Sequence, residues 1–126
     1  MIGVIICGPR NFPSTQEQLD WMLHILKEIG KEYYNYKYCT IITGGADGVD
    51  KYGKIFAEHN HLSHKEFPAD WEKFGKKAGS IRNEQMAENA QICIAFFNGS
   101  KGTKNMIQTA IKKNLPVHCV LIPDFE

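Results

Sequence analysis

Short apolar runs that alternate with longer amphipathic segments constrain the fold of this chain more than any other feature. The runs are Ile2–Cys7, Tyr38–Thr43, Leu62–Phe67, Ile92–Phe97 and Val117–Ile122. The first is apolar throughout, as expected of a strand that is buried on both faces. Five strands that alternate with helices predict a parallel sheet covered by helices on both sides.

The amphipathic segments between the runs predict four helices. They are expected over residues 14–30, 47–60, 81–90 and 102–114. In the first, apolar residues from Leu19 to Ile29 recur every three or four positions, and Gly30 is expected to end the helix. The residues of the last helix that are expected to face the core are Met106, Ile107, Ala110 and Ile111. Residues 68–80 show no clear period and are expected to form a loop.

Together these elements predict an α/β fold, a three-layer sandwich around a mainly parallel five-stranded sheet. The expected strand order is 3-2-1-4-5, which makes strands one, two and four neighbours. A length of 126 residues fits a single domain that spans residues 1–126. Ligands of such sheets bind at the carboxyl ends of the strands, near the point where the strand order reverses.

Three glycine-bearing loops follow the first, second and fourth strands. They span residues 8–12, 43–50 and 99–104. Glycine lets backbone N–H groups approach an anion closely, and the start of the following helix adds a partial positive charge. Because the three loops are expected to meet at one edge of the sheet, they predict a site for a small molecule that carries phosphate.

The first loop contributes a cation rather than backbone donors. Pro9, which follows Gly8, has no N–H group, whereas the planar guanidinium of Arg10 can clamp a phosphate through two bonds. A tight turn at the end of the strand, with Arg10 as an ordinary surface residue, explains the same residues equally well. Ligand binding and this purely structural role therefore both stay open.

The second loop combines close backbone approach with two acidic residues. Gly44 and Gly45 allow positive φ angles, and Gly48 is unusual in a first helical turn unless something packs closely against it. Asp47 and Asp50 have the spacing of a capping box, and capping is the favoured role for Asp47. Asp50 either completes that cap or accepts hydrogen bonds from ribose hydroxyls, as acidic residues do in dinucleotide folds.

The third loop has the composition of a phosphate cradle. Ser100 and Thr103 supply hydroxyls, and Gly102 exposes backbone at a helix start. This role is favoured over a plain turn with a threonine cap. The loop lacks the GxxxxGK[ST] order, and the chain lacks GxGxxG, so nucleoside triphosphate hydrolysis and NAD-type hydride transfer are both disfavoured.

The 68–80 segment and the helix start after it add aromatic and polar candidates. Trp71 either stacks on a base or folds back on the sheet edge as part of the core, and Phe74 is expected to join the core. Arg82 and Asn83 begin the next helix, where the helix dipole prefers acids to a cation. That misfit favours a role for Arg82 as a phosphate or ribose ligand.

Charge and cysteine content limit the partners and the compartment. The net charge of +1 argues against nucleic acid as a partner, since nucleic-acid-binding proteins usually carry a strong basic excess. The four cysteines are expected to be buried apolar residues without metal-ligand spacing: Cys7, Cys39, Cys93 and Cys119. Neither a signal peptide nor a membrane span is expected, so the location predicted is cytoplasmic. No cofactor and no metal site is expected.

The motifs taken together resemble a known family. They are G-x-R-x-F at 8–12, ITGGA-x-GVD at 42–50, FPADW-x-x-x-G-x-x-AG-x-IRN-x-x-M at 67–86, and SKGT at 100–103. This set resembles the YspA-type branch of the SLOG superfamily, which occurs in bacteria and phages. The resemblance implies a Rossmann-like fold that binds a nucleotide or a nucleotide-derived molecule, either ADP-ribose-like or a nucleoside phosphate, as a sensor or a sequestering protein.

The loops and the matched motifs together define the expected ligand contacts. These candidate residues are Gly8, Pro9, Arg10, Gly44, Gly45, Ala46, Asp50, Trp71, Gly79, Arg82, Asn83, Ser100, Lys101, Gly102 and Thr103.

Two departures from the family pattern bear on catalysis. Asp47 stands where the family often has arginine, which removes a cation from the loop. The phosphoribohydrolases of the superfamily carry PGGxGTxxE, and alignment on the Gly-Thr pair puts Met106 at the glutamate. Because an oxocarbenium-like transition state needs a nearby carboxylate, Met106 favours binding over cleavage. The alternative is a nucleotide N-glycosidase of the phosphoribohydrolase class, with Asp50 or Glu84 as the carboxylate; analogy with those enzymes also implies a homo-oligomer.

Overall fold

The computed structural model describes residues 1–125, and the five expected strands form one parallel sheet in it. They are β1 (Ile2–Cys7), β2 (Cys39–Thr43), β3 (Ser63–Glu66), β4 (Ile92–Phe97) and β5 (Val117–Leu121). The order across the sheet is β3-β2-β1-β4-β5, and each neighbouring pair runs parallel. The expected α/β class and strand order are therefore confirmed.

Helices cover both faces of this sheet. They are α1 (Gln16–Tyr33), α2 (Val49–His59), α3 (Trp71–Phe74), α4 (Ala78–Glu88) and α5 (Lys101–Lys112), with short 3₁₀ turns at Tyr36–Tyr38 and Gly75–Lys77. Apolar residues of α1 and α2 pack on one face, and those of α4 and α5 pack on the other.

The central strand shows why its sequence is apolar without a break. Side chains alternate along a strand, so neighbouring residues of β1 enter opposite layers. Val4 and Ile6 join the core under α1 and α2, whereas Ile5 and Cys7 join the core under α4 and α5. Both faces of β1 are thus removed from water, which positions its carboxyl end firmly below the first glycine loop.

The first helix does not end at Gly30, as the sequence predicted, but continues to Tyr33. Gly30 is buried, and a Cβ atom at this position would lie 2.5 Å from the Cβ atom of Tyr36. The glycine therefore permits close packing of the following 3₁₀ turn rather than ending the helix.

The expected loop over residues 68–80 is also wrong, because the segment contains α3, a 3₁₀ turn and the start of α4. Asp70 caps α3 by accepting a hydrogen bond from the Lys73 amide at 3.0 Å. A break at Gly75, with φ of 57°, then lets α4 begin at Ala78 rather than at Ile81. Phe74 is 36% exposed and belongs to neither hydrophobic core, because α3 is a single helical turn that buries none of its residues.

Two apolar residues near the β5 edge are more exposed than expected. Cys7, Cys39 and Cys93 are buried, but Cys119 is exposed because β5 is an outer strand of the sheet. Ile111 of α5 was expected to face the core, yet it is 60% exposed. Among residues 1–125, no helix combines the length and the apolar character that a membrane span requires.

Candidate functional site

The loops that follow β1, β2 and β4 converge on one cleft at the carboxyl edge of the sheet. The cleft has a volume of about 650 Å³ and lies where the strand order reverses, between β1 and β4. We call it the main cleft. Its walls are formed by Cys7, Gly8, Pro9, Arg10, Asn11, Ala46, Asp50, Arg82, Asn83, Met86, Asn98, Gly99, Ser100, Gly102, Thr103 and Met106. The spatial convergence that the sequence predicted is therefore present.

A smaller cavity of about 310 Å³ adjoins the main cleft, and we call it the side cavity. The two share Arg10, Ala46 and Arg82 as lining residues. The remaining walls of the side cavity are Gly44, Gly45, Asp47, Pro68, Ala69 and Trp71. The two arginines therefore border both spaces.

Arg82 is held in place by uncharged partners. Its Nη1 donates to the Gly44 carbonyl oxygen at 2.8 Å, and its Nε donates to Oδ1 of Asn83 at 3.0 Å. The buried Asn83 in turn donates to Oδ1 of Asn105 on α5 at 2.8 Å. These bonds use two of the five N–H groups of the guanidinium and fix its position beside the cleft.

Neither arginine at the cleft forms an ion pair within 4.0 Å among residues 1–125, although the charges of both act on the Asp50 carboxyl group in the cleft wall. The ion pairs formed by residues 1–125 within 4.0 Å are Lys31–Glu28 and Lys113–Glu88, and both lie away from the cleft. Arg10 is exposed, and Arg82 is half-buried. Two guanidinium groups beside a single, buried carboxyl group make this cleft favourable for an anion.

Asp50 holds the second glycine loop. Its Oδ2 accepts hydrogen bonds from the amides of Gly44 at 3.1 Å and Ala46 at 3.3 Å. Burial raises the pKa of Asp50 to about 6, while the Ala46 hydrogen bond and the charge of Arg82 act in the opposite direction. Asp50 thus fixes the loop that precedes its helix, which is a different contact from the capping box that its spacing suggested.

Asp47 does not cap α2, contrary to the sequence-based expectation. The N-cap residue of α2 is Gly48, which has no side chain to cap the helix, and Asp47 is exposed beside the side cavity. Gly48 has a φ of 74°, and a Cβ atom there would lie 2.6 Å from the carbonyl carbon of Arg10. The amide of Val49 donates to the Pro9 carbonyl oxygen at 3.2 Å. Gly48 therefore allows the backbone of the first loop to pack closely against the start of α2.

The third loop leaves its helix start without a side-chain cap. Ser100 is the N-cap residue of α5, but its hydroxyl donates to the hydroxyl of Thr103 at 2.7 Å instead of accepting from the backbone. Thr103 is buried, and Gly102 lines the main cleft beside it. The amides of the first turn, with their partial positive charge, therefore adjoin the cleft.

Most of the predicted ligand-binding residues line one of the two spaces, and two do not. Gly44, Gly45 and Trp71 border the side cavity, whereas Lys101 borders neither space and is exposed. Gly79 also borders neither, but a Cβ atom there would lie 3.6 Å from Cη2 of Trp71. Gly79 thus lies next to the Cη2 atom of Trp71.

The two catalytic candidates differ in position. Asp50 lines the main cleft, whereas Glu84 is exposed and lines neither the main cleft nor the side cavity. Met106 is buried in the cleft wall.

Several lining residues were missed in the sequence. Asn11 and Asn98 lie within or directly before the predicted loops, so their position was the available signal. Met86 follows Arg82 by four residues on α4 and therefore shares its helix face. Asn105 does not line the cleft but holds Asn83, and no sequence pattern indicates this role, because the hydrogen bond joins two separate helices.

Comparison with solved structures supports the fold. The crystal structure of TM1055 superposes with a TM-score of 0.70 at 22% identity, covering 93% of this chain and 72% of TM1055. DNA processing protein A (DprA) from Streptococcus pneumoniae gives a TM-score of 0.70 at 14% identity, covering 98% of this chain and 50% of DprA. This chain therefore spans half of the length of DprA. At these identities the similarity shows a shared Rossmann-like fold.

Sequence comparison supports the family resemblance. The Gene 61 protein of Mycobacterium phage D29 is 37% identical over an 84-residue alignment that covers 61% of this chain and 67% of the phage protein. Residues 2–74, more than half of the chain, match the model of one family. This protein therefore belongs to the YspA, cpYpsA-related SLOG family.

Proposed function

We propose that this protein binds a nucleotide or a nucleotide-derived molecule, with phosphate held in the main cleft. The observation that carries the proposal is the position of Arg10 and Arg82, two cations against one buried carboxyl group, at a cleft formed by three strand-end loops. Membership of the SLOG family supports a nucleotide-related role. Open parallel sheets bind such ligands at the same position, outside the carboxyl ends of their strands.

The residues of the main cleft divide into groups suited to phosphate and to sugar. The hydroxyls of Ser100 and Thr103 and the first-turn amides of α5 suit a phosphate, together with the guanidinium of Arg82. Asn98 and the second amide N–H of Asn83, whose first N–H is donated to Asn105, line the same cleft and suit sugar hydroxyls. The ligand is then held as an intact molecule, for sensing or for sequestration.

A nucleotide N-glycosidase is the second candidate, and one residue favours it. Asp50 is the acidic residue of the main-cleft wall, and a carboxyl group whose pKa is raised to about 6 by burial can carry a proton near neutral pH. However, its Oδ2 already accepts two backbone hydrogen bonds, and Met106 lies where the phosphoribohydrolases have glutamate. We therefore favour binding without cleavage.

Incubation with nucleoside monophosphates, followed by mass spectrometry of the protein and of the solution, separates the two candidates. Binding predicts an intact nucleotide recovered from the protein and no free base. Release of free base and ribose phosphate at a rate that Asp50→Asn abolishes would establish the enzyme instead.

Removal of either arginine tests the position of the phosphate. We expect Arg10→Ala and Arg82→Ala each to weaken nucleotide binding about tenfold or more, because each removes a charge-assisted hydrogen bond. Isothermal titration calorimetry measures the affinity, and thermal unfolding checks that the variants fold. Lys27→Ala, which removes an exposed cation from α1, is the matched control. Unchanged affinity in both arginine variants would reject this placement.

Three further expectations, about location, self-association and the class of partner, remain proposals. Free, buried thiols at Cys7, Cys39 and Cys93 support a reducing, cytoplasmic location. The open edge of β5, where Leu121 is 71% exposed, supports self-association, which sedimentation velocity can test. The net charge of +1 favours a small molecule over nucleic acid as the partner.

A further inference from the structure

The main cleft and the side cavity meet along a wall that carries both arginines of the chain. Arg10 and Arg82 are the arginines of this sequence, and each lines both spaces. We infer that the two spaces hold the two halves of one ligand, with a base in the side cavity, a sugar in the main cleft and a diphosphate between the arginines. The inference rests on the proposed nucleotide function and narrows the ligand to nucleoside diphosphates that carry a second group.

The side cavity has the chemistry of a base-stacking site. Trp71 is 53% exposed and belongs to neither hydrophobic core, although tryptophan gains much from burial. One ring atom, Cη2, lies 3.6 Å from where a Cβ atom on Gly79 would stand, so the ring contacts the start of α4 at an ordinary van der Waals distance. Pro68 and Ala69 add apolar surface to the same wall. A planar base placed against Trp71 would cover this exposed ring.

The shared wall suits two phosphates rather than one. A single guanidinium can bind one phosphate through two parallel bonds, so two guanidinium groups match a diphosphate. The hydrogen bonds from Arg82 to Gly44 and Asn83 fix one of these groups in advance. Ala46, the third shared residue, belongs to the glycine loop that Asp50 holds in place.

The size of the main cleft supports a second group beyond the diphosphate. Its volume of about 650 Å³ is twice that of the side cavity, which is about 310 Å³. Polar side chains of Asn83 and Asn98 line it. A sugar linked to the second phosphate would find hydrogen-bond partners there, whereas a mononucleotide based in the side cavity would leave most of the cleft to water.

Paired ligands test the inference by calorimetry. ADP-ribose is compared with AMP, UDP-glucose with UMP, and GDP-mannose with GMP, and ribose 5-phosphate serves as the ligand without a base. We expect at least one diphosphate to bind about tenfold tighter than its monophosphate. Trp71→Ala should weaken that diphosphate about tenfold, Trp71→Phe should retain most of the affinity, and neither should change ribose 5-phosphate binding.

Phe74→Ala is the matched control, because Phe74 is an exposed aromatic residue of α3 that lines neither space. Equal affinity for each diphosphate and its monophosphate, or an unchanged affinity in Trp71→Ala, would overturn the inference. If the monophosphates or ribose 5-phosphate still bind and Arg82→Ala weakens them, the proposed function survives that result. If none of the phosphate compounds binds, the proposed function fails together with the inference.

Discussion

Asp50 illustrates at the scale of one residue how a buried carboxylate can shape a binding loop. Its spacing from Asp47 left helix capping and ribose binding as open interpretations, and the structure adds a third role, two hydrogen bonds to the loop amides of Gly44 and Ala46. Sequence spacing could not reveal these bonds, because they depend on the positive φ of 77° at Gly45. Any contact of Asp50 with ribose stays a prediction.

The raised pKa of Asp50 predicts how stability depends on pH. Since burial raises the pKa of the folded state to about 6 from an ordinary value of 3.8, this group stabilises the fold most below pH 3.8, and the effect is lost as the pH rises through 6. Relative to Asp50→Asn, the wild type should lose on the order of 3 kcal/mol of unfolding free energy between pH 4 and pH 7. Urea unfolding at intervals across this range measures the difference.

Asp47→Asn is the control for this experiment, since Asp47 lies on the same loop but is exposed. Parallel stability curves for the wild type and Asp50→Asn would contradict the raised pKa.

At the scale of elements, the sequence predicted the strands and the loops better than it predicted α3 and α4. Because Gly75 and the polar residues around it show no helical periodicity, the sequence did not predict α3, the 3₁₀ turn at Gly75–Lys77 or the first turn of α4. The side cavity that this segment borders also has walls from the first two glycine loops and from Arg82, which are distant in the sequence. For this reason Trp71 was predicted as a site residue while its cavity was not.

Gly48, where the first loop meets α2, offers a test at this scale. Gly48→Ala should lower the unfolding free energy by about 1 to 3 kcal/mol, because the new methyl group would meet the backbone of Arg10 at a strained φ. Gly102→Ala is the matched control, because a Cβ atom at this position would meet nothing within 4 Å. Since alanine has a higher helix propensity than glycine, this substitution should raise the unfolding free energy by about 0.5 to 1 kcal/mol. Thermal and urea unfolding measure both variants, and equal stability of the two would refute the packing argument.

At the scale of the whole molecule, the order of the strands determines where the site can form. The order β3-β2-β1-β4-β5 brings three loops from distant parts of the sequence to one edge. Hydrophobic patterning predicted the parallel sheet, whereas the order 3-2-1-4-5 was the expected arrangement in which the three glycine loops become neighbours. The bond between Asn83 and Asn105, which joins α4 to α5 beside the cleft, could not be predicted in the same way. The positions of the strands and glycine loops in the sequence thus predicted where the cleft lies. The hydrogen bonds that position Arg82 could be identified only from the three-dimensional structure.

The most direct test of the central claim is a nuclear magnetic resonance titration of the ¹⁵N-labelled protein with the tightest-binding nucleotide. If phosphate binds in the main cleft, the largest amide shifts will cluster in the three loops, at residues 8–11, 44–46 and 99–103. Shifts that leave these loops unchanged and cluster at the opposite end of the molecule, for example at residues 30–37, would contradict the account.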